Sequence, residues 1–210
     1  MNRVTMSGDN GFWARVRAAL SRAPGGSEPA YGKAEIAKRP GKKLRPAQRI
    51  DASLRRAWES AAERKVSLCV LALEMDVYAS YFSSYGRDGV EDCLEQLEHL
   101  IRSHVPNEQA CLRNGRAGFV LVLPDMPNLM ARDIAAKIAA GVRTLAIANK
   151  ESHAGQVTLS MGLAVVNPQG AFDREVLDAA NMAVRRAQRR GLARLEVVDF
   201  RPSQERKTAA

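Results

Sequence analysis

The hydrophobic and polar positions along the chain follow two periods, that of a helix and that of a strand. Apolar residues at i, i+3, i+4 spacing predict four helices in the second part of the chain, at about residues 51–65, 90–105, 134–145 and 173–190. Apolar runs of strand length predict buried strands at residues 66–75, 157–166 and 194–200. Asn114-Gly115, before the apolar run 119–123, predicts a β-hairpin. This order predicts an α/β (α+β) fold in which helices flank a mixed central sheet.

The first 50 residues have a different pattern. Residues 11–23 place apolar side chains on one stripe of a helix, with arginines beside it, and Pro24-Gly25-Gly26 ends the segment. The stripe and its flanks contain Phe12, Trp13, Val16, Leu20, Arg15 and Arg22. The residues that follow are rich in Lys, Arg, Gly and Pro, which is typical of a flexible linker. We therefore predict an arm at 1–50, a domain at 51–200 and a disordered tail at 201–210.

The charge of the chain is concentrated in this arm. Residues 1–50 hold 11 Lys and Arg against 3 Asp and Glu, whereas residues 51–210 hold 21 against 20. Cys69, Cys93 and Cys111 are widely spaced in apolar runs, which indicates core positions in a reducing compartment and no zinc or disulfide framework. No apolar run approaches the ~18 residues of a membrane span. We predict a cytoplasmic protein, with peripheral contact to the inner membrane through residues 11–23 as an open alternative.

Five segments resemble, in order, the motifs of the GGDEF domain of diguanylate cyclases. They are SLCVLALEMD, SYG, RNGRAGFVLVLPD, VTLSMGLA and the closing LDAANMAVRRAQRRGLARLEVVD, and the resemblance covers residues 44–200. It implies a nucleotidyl-cyclase palm-like fold with a β-hairpin in the sheet. It also implies a reaction in which two domains, each holding GTP, face each other and form cyclic di-GMP. Such phosphoryl transfer depends on positioned metal ions and cationic side chains, and magnesium prefers carboxylate ligands.

The same resemblance implies that the chemical groups of the site are replaced in this chain. The family's Gly-Gly-Asp-Glu-Phe falls on Gly115, Arg116, Ala117, Gly118 and Phe119, so neither acidic position keeps a side-chain oxygen. The carboxylates at the end of the first strand fall on Glu74 and Asp76, which are the residual metal candidates. The positions that contact the nucleotide fall on Phe82, Glu91, Gln188 and Leu192. The upstream product-inhibition site falls on Pro106 and Gln109 and lacks its charged pair.

These replacements predict a domain that does not act as an enzyme and needs no cofactor, with magnesium expected only if activity persists. We expect a signalling adaptor that binds a protein, either an active GGDEF protein or a second copy of itself. The candidates for contact are residues 11–23 and the aromatic pair Tyr81 and Phe82, which either fill the vacated pocket or form an exposed surface.

Three alternatives stay open: an active or weakly active cyclase, a nucleotide receptor, and a nucleic-acid-binding protein that uses its basic arm. For nucleic-acid binding, the sequence offers a basic arm but no reading helix or zinc module.

Overall fold

The structure, a computed structural model, describes residues 44–105, 107 and 110–201. The predictions for the stripe of residues 11–23, for Pro106 and Gln109, and for the tail after Arg201 lie outside the described residues. In chain order the elements are α1 (Pro46–Arg64), β1 (Leu68–Met75), α2 (Tyr78–Ser103), β2 (Cys111–Asn114), β3 (Gly118–Pro124), α3 (Asn128–Leu145), β4 (Leu159–Val166), α4 (Glu175–Arg190) and β5 (Leu195–Asp199). This is the order that the sequence predicts.

The described strands form one mixed sheet in the order β2-β3-β1-β4-β5. The central strand β1 runs antiparallel to both neighbours, β3 and β4, and β5 runs parallel to β4. The mixed sheet with its internal hairpin confirms the predicted fold class.

Helices cover both faces of this sheet, which explains why the central strands are apolar without alternation. Leu71 and Leu73 of β1 pack with α2 and α3, whereas Val70 and Ala72 pack with α1 and α4. A strand enclosed on both faces needs apolar side chains at successive positions. Each large aliphatic side chain buried in this way stabilises the fold by about 1.5–3 kcal/mol.

Two helix boundaries differ from the sequence prediction. The helix expected at residues 51–65 begins at Pro46, because proline suits the first helical position and Gln48 accepts a hydrogen bond from the Arg45 backbone N–H at 3.0 Å. The helix expected at residues 90–105 begins earlier, at Tyr78, and so includes the aromatic segment before it. That helix kinks at Gly86, where φ is 70° and ψ is −172°, and then continues as the predicted amphipathic stretch.

The position of α4 is set by a close backbone contact with β4. A Cβ added at Gly162 would lie 2.1 Å from the carbonyl oxygen of Ala180, so only glycine fits there. Helix α4 then ends at Gly191, as expected, and Asp173 accepts a hydrogen bond from the Glu175 N–H at its start. The contact between Gly162 and Ala180 holds α4 against the sheet beside the end of β1.

Candidate functional site

The β2–β3 hairpin ends in a loop that is one residue longer than the two-residue turn typical of Asn-Gly. Asn114 pairs with Gly118 across the hairpin, so the loop consists of the three residues between them. Gly115 opens the loop with a φ of 64°, in the left-handed region that glycine adopts at little steric cost. Ala117 is 5% exposed, and its carbonyl accepts a hydrogen bond from Met75 N–H at 2.9 Å. The loop is therefore fastened to the end of β1.

Gly118 leaves no room for a side chain at the second acidic position of the motif. A Cβ added there would lie 2.8 Å from the carbonyl oxygen of Asn114 and 2.9 Å from that of Leu73. Both atoms belong to paired backbone, which cannot move aside as the end of a flexible side chain can. The hairpin thus keeps its shape in the sheet while carrying no acidic group at Ala117 or Gly118.

A cleft of about 670 Å³ lies between this hairpin, the end of β1 and helix α4. Its polar wall from α4 consists of Asp178, Asn181 and Arg185, with Met182 beside them. Across the cleft, Asn114 donates a hydrogen bond from Nδ2 to Oδ1 of Asn181 at 3.3 Å. The spacing i, i+3, i+4, i+7 places these four α4 residues on one helical face, a pattern present in the sequence but not assigned to the site there.

Glu74 is the residual metal candidate that lies on the cleft. Partial desolvation of its carboxyl raises its pKa above the ordinary value, Arg185 opposes that rise through its positive charge, and Asp76 adds to it. Arg185 therefore places a fixed cation in the electrostatic environment of Glu74. This arginine was not among the site residues predicted from the sequence.

Asp76 lies elsewhere, fully buried behind the cleft. Thr158 and Ser160 each donate a hydroxyl hydrogen bond to it at 2.7 Å, and the Ala193 backbone N–H donates at 3.1 Å. These bonds engage both carboxylate oxygens and join the ends of three chain segments. Thr158 and Ser160 are themselves buried, so this network lies inside the domain.

The residues present do not fit a magnesium site of the kind the resemblance implies. Glu74 reaches the cleft, but Asp76 is enclosed by three donors and the hairpin contributes no carboxylate. Within the described residues, no group of three or more His, Cys, Asp or Glu side chains is arranged to hold a metal ion. Magnesium needs several hard oxygen ligands, which this arrangement does not bring together.

The two aromatic candidates separate in the structure. Tyr81 is 3% exposed and stacks on Tyr85 at a ring-centroid distance of 4.3 Å, so it belongs to the core, and the expectation that it forms an exposed contact surface is wrong. Phe82 is 45% exposed and lines a side cleft with Tyr78 and Arg116. Both Tyr78 and Arg116 also line the main cleft, so the two clefts are adjacent and share part of their walls.

The remaining nucleotide positions are not part of the cleft wall. Glu91 is exposed on α2 and its carboxylate lies 3.3 Å from the guanidinium of Arg113. Gln188 is half-buried and Leu192 is exposed, and neither lines the main cleft. The resemblance placed these residues at the nucleotide positions, and in the structure they lie outside the wall of the main cleft.

Arg113 supports the hairpin from the other face of the sheet. Its guanidinium pairs with Glu98 and lies 5.2 Å from the centroid of the Phe119 ring. Burial alone would raise the pKa of Glu98, but hydrogen bonds and positive charge from Arg113 and Arg102 lower it overall. This network stabilises the hairpin without contributing a group to the cleft.

Over the part of the chain that the structure covers, every helix is too short or too polar to cross a membrane.

Comparison with known proteins identifies the same domain. The family model described as diguanylate cyclase, GGDEF domain, matches residues 43–194. The chain is 26% identical over 153 residues to the probable diguanylate cyclase DgcC of Escherichia coli K12, covering 68% of this chain and 40% of that protein. It thus spans about two fifths of the length of the curated relatives it matches.

Solved structures show the same fold at low sequence identity. The active GGEEF domain of a diguanylate cyclase from Vibrio cholerae has a TM-score of 0.62 and 21% identity, over 72% of this chain and 94% of that chain. The diguanylate cyclase SiaD from Pseudomonas aeruginosa, in complex with its activator SiaC, also has a TM-score of 0.62, with 22% identity over 71% of this chain and 56% of that one.

Proposed function

Because this chain belongs to the diguanylate cyclase GGDEF domain family, we propose that it is a member that does not synthesise cyclic di-GMP and acts as a signalling adaptor through protein contacts. The observation that carries the first half is the hairpin: Gly118 stands where a carboxylate is expected, and two carbonyl oxygens occupy the space of a side chain. The second half rests on the retained fold and on the surface around the cleft.

The chemistry of the family reaction supports this proposal. Attack of a hydroxyl on an α-phosphate develops negative charge that metal ions and cations must stabilise. Here Glu74 shares its surroundings with Arg185, and Asp76 is held by three hydrogen-bond donors. A carboxylate that is enclosed in this way is not available to a metal. The arginines of the cleft would attract a triphosphate but cannot replace the metal ions in its activation.

The adaptor role is supported by the surface that takes the place of the reactive groups. Phe82 and Met182 are large apolar side chains, 45% and 52% exposed, at the side cleft and the main cleft respectively. Exposed apolar side chains beside cations are typical of protein contact sites. The similar cyclase SiaD is in complex with its activator SiaC, which is a precedent for a protein of this fold with a protein partner.

An assay for product tests the catalytic half directly. The full chain is incubated with GTP and magnesium or manganese, and cyclic di-GMP is sought by chromatography against a boiled control. We expect no product above that control. Calorimetry with GTP and with cyclic di-GMP should show no binding tighter than ~100 μM, which corresponds to about −5.5 kcal/mol. Product above the control refutes the non-catalytic proposal, and tight binding without product favours a nucleotide receptor.

Affinity capture tests the adaptor half. The full chain is compared with a variant that begins at Leu44, with Trp13→Ala/Leu20→Ala, and with Phe82→Ala/Met182→Ala. Loss of a defined protein with either double variant, but not with the exposed control Leu129→Ala, assigns the recruiting surface. If all variants recover the same proteins, neither the arm nor the cleft rim recruits a partner and this half of the proposal fails.

A further inference from the structure

Helix α2 presents an acidic face to solvent after its kink. Asp88, Glu91, Asp92 and Glu95 are all exposed, and their i, i+3, i+4, i+7 spacing places them in one stripe. The buried residues of the same stretch, such as Leu94 and Leu97, lie on the opposite side of the helix. Of the four carboxylates, Glu91 has a partner in Arg113. We refer to these four residues as the acidic face.

Helix α4 presents a shorter basic face near its C-terminal end. Arg185, Arg186 and Arg189 are exposed at i, i+1, i+4, opposite the buried Ala180 and Val184. Among the described residues, no ion pair involves these three arginines, whereas the neighbouring Arg190 is paired with Glu196. We refer to the three arginines as the basic face.

The two faces cannot meet within one molecule. The buried side of α2 packs on one face of the sheet, with α3, and the buried side of α4 packs on the other, with α1. Since each charged stripe lies opposite the buried side of its helix, the acidic and basic faces point away from the sheet in opposite directions. Among the described residues, the acidic face can therefore meet the basic face only between molecules, although Arg185 also lies in the electrostatic environment of Glu74.

We propose that the acidic face of one copy docks on the basic face of a second copy. Complementary stripes steer association and fix which surfaces meet, while each exposed ion pair adds little affinity. The contact is therefore weak and sensitive to salt, because the Debye length falls from about 10 Å at 0.1 M to about 3 Å at 1 M. This proposal holds whether or not the cleft turns over a nucleotide.

The placement of the faces also determines the kind of assembly. A symmetric pair needs the same surface patch on both members, whereas here one copy contributes α2 and the other contributes α4. A bound pair leaves one basic face free on one copy and one acidic face free on the other. A head-to-tail contact of this kind adds further copies unless its rotation closes a ring. We expect the average mass to rise beyond that of a dimer as the concentration increases.

Charge reversal tests the proposal on the full chain. One variant carries Asp88→Lys, Asp92→Lys and Glu95→Lys, and another carries Arg185→Glu, Arg186→Glu and Arg189→Glu. Sedimentation at low salt should show concentration-dependent association for the natural chain, weakened at least about tenfold between ~50 and ~500 mM NaCl. Each variant alone should stay monomeric. An equimolar mixture should associate again, because each member then offers the charge that the other lacks.

A matched control keeps the net charge of the arginine variant while changing another helix. Reversal of Arg132, Lys137 and Arg143 on α3 alters the same number of exposed cations and should leave association intact. Circular dichroism checks that every variant is folded. A natural chain that stays monomeric at low salt, a mixture that does not associate, or association that survives the arginine variant overturns the proposal.

Discussion

Restoring the acidic residues of the hairpin should damage the protein instead of producing a cyclase. The change is Ala117→Asp with Gly118→Glu, together and separately. At Gly118 the first side-chain carbon would meet two backbone carbonyl oxygens at 2.8 and 2.9 Å, distances that force the paired strands apart. At Ala117 the new carboxylate would start from a position that is 5% exposed and packed in the apolar core.

The size of the effect follows from these two environments. Overpacking of a tight site costs about 1–3 kcal/mol, and Gly118→Ala isolates that contribution. A polar group buried without a partner costs about 1–3 kcal/mol more, so the double substitution should lose several kcal/mol. For a domain of this size each kcal/mol lowers the Tm by about 2–4 °C.

Thermal unfolding of the full chain measures these losses, and two glycines serve as controls. Gly115→Ala faces open space and should cost only the left-handed backbone preference, about 1 kcal/mol. Gly162→Ala would place Cβ 2.1 Å from a carbonyl and should be the most damaging. Cyclic di-GMP formation is assayed in parallel. A double variant with the natural Tm and measurable product would refute the reasoning about this hairpin.

Three further substitutions test separate parts of the site. Asp76→Asn should destabilise the domain by about 1–3 kcal/mol in urea unfolding, because the carboxylate accepts three hydrogen bonds. The loss should be the same with and without Mg²⁺. If Mg²⁺ stabilises the natural chain but not the variant, Asp76 is a metal ligand instead. A raised pKa of the Glu74 carboxyl means that its charged form destabilises the fold, so Glu74→Gln should raise the Tm at pH values above the folded pKa. At pH values below the ordinary carboxyl pKa of 4.5, the Tm should not change. An equal Tm of variant and natural chain at pH 7 would contradict the direction of the pKa shift. Arg113→Ala should also destabilise the domain. The pKa of Glu98 is lowered in the folded protein, so its charged form stabilises the domain above the unfolded pKa, and this stability is lost as the pH falls through the folded pKa. The loss of stability at acid pH should therefore be smaller in the variant. A variant whose stability falls with pH as in the natural chain would contradict this prediction.

The fold was predictable because apolar spacing and turn chemistry pointed to the same elements. In the stretch from residue 90 to 105, the positions Val90, Cys93, Leu94, Leu97 and Ile101 are buried as their helical spacing requires. Burial could not be predicted where one sequence pattern fits two structures. The sequence left two interpretations open for Tyr81 and Phe82 as a pair, whereas the helix and its glycine kink bury Tyr81 and expose Phe82.

For the candidate site, the missing carboxylates could be predicted from the sequence better than the side chains that line the cleft. Ala117 and Gly118 could be identified from the sequence because the absence of a carboxylate needs no coordinates. The orientation of the Asp76 side chain could not be predicted, because it depends on the hydroxyls of Thr158 and Ser160 and on a backbone N–H after α4. The cleft wall formed by Asn181 and Arg185 was not predicted, because these residues share a face of α4 but do not occupy motif positions of the site.

The close contact between Gly162 and the backbone of α4 separates the shape of the cleft from its chemistry. Because that helix is located by main-chain atoms, its exposed side chains can be exchanged without moving the wall that carries them. Met182 and Arg185 are therefore suitable positions for protein engineering, where new binding groups could be grafted onto a fixed frame. Libraries restricted to these exposed positions should retain the natural melting behaviour while their ligand preferences diverge.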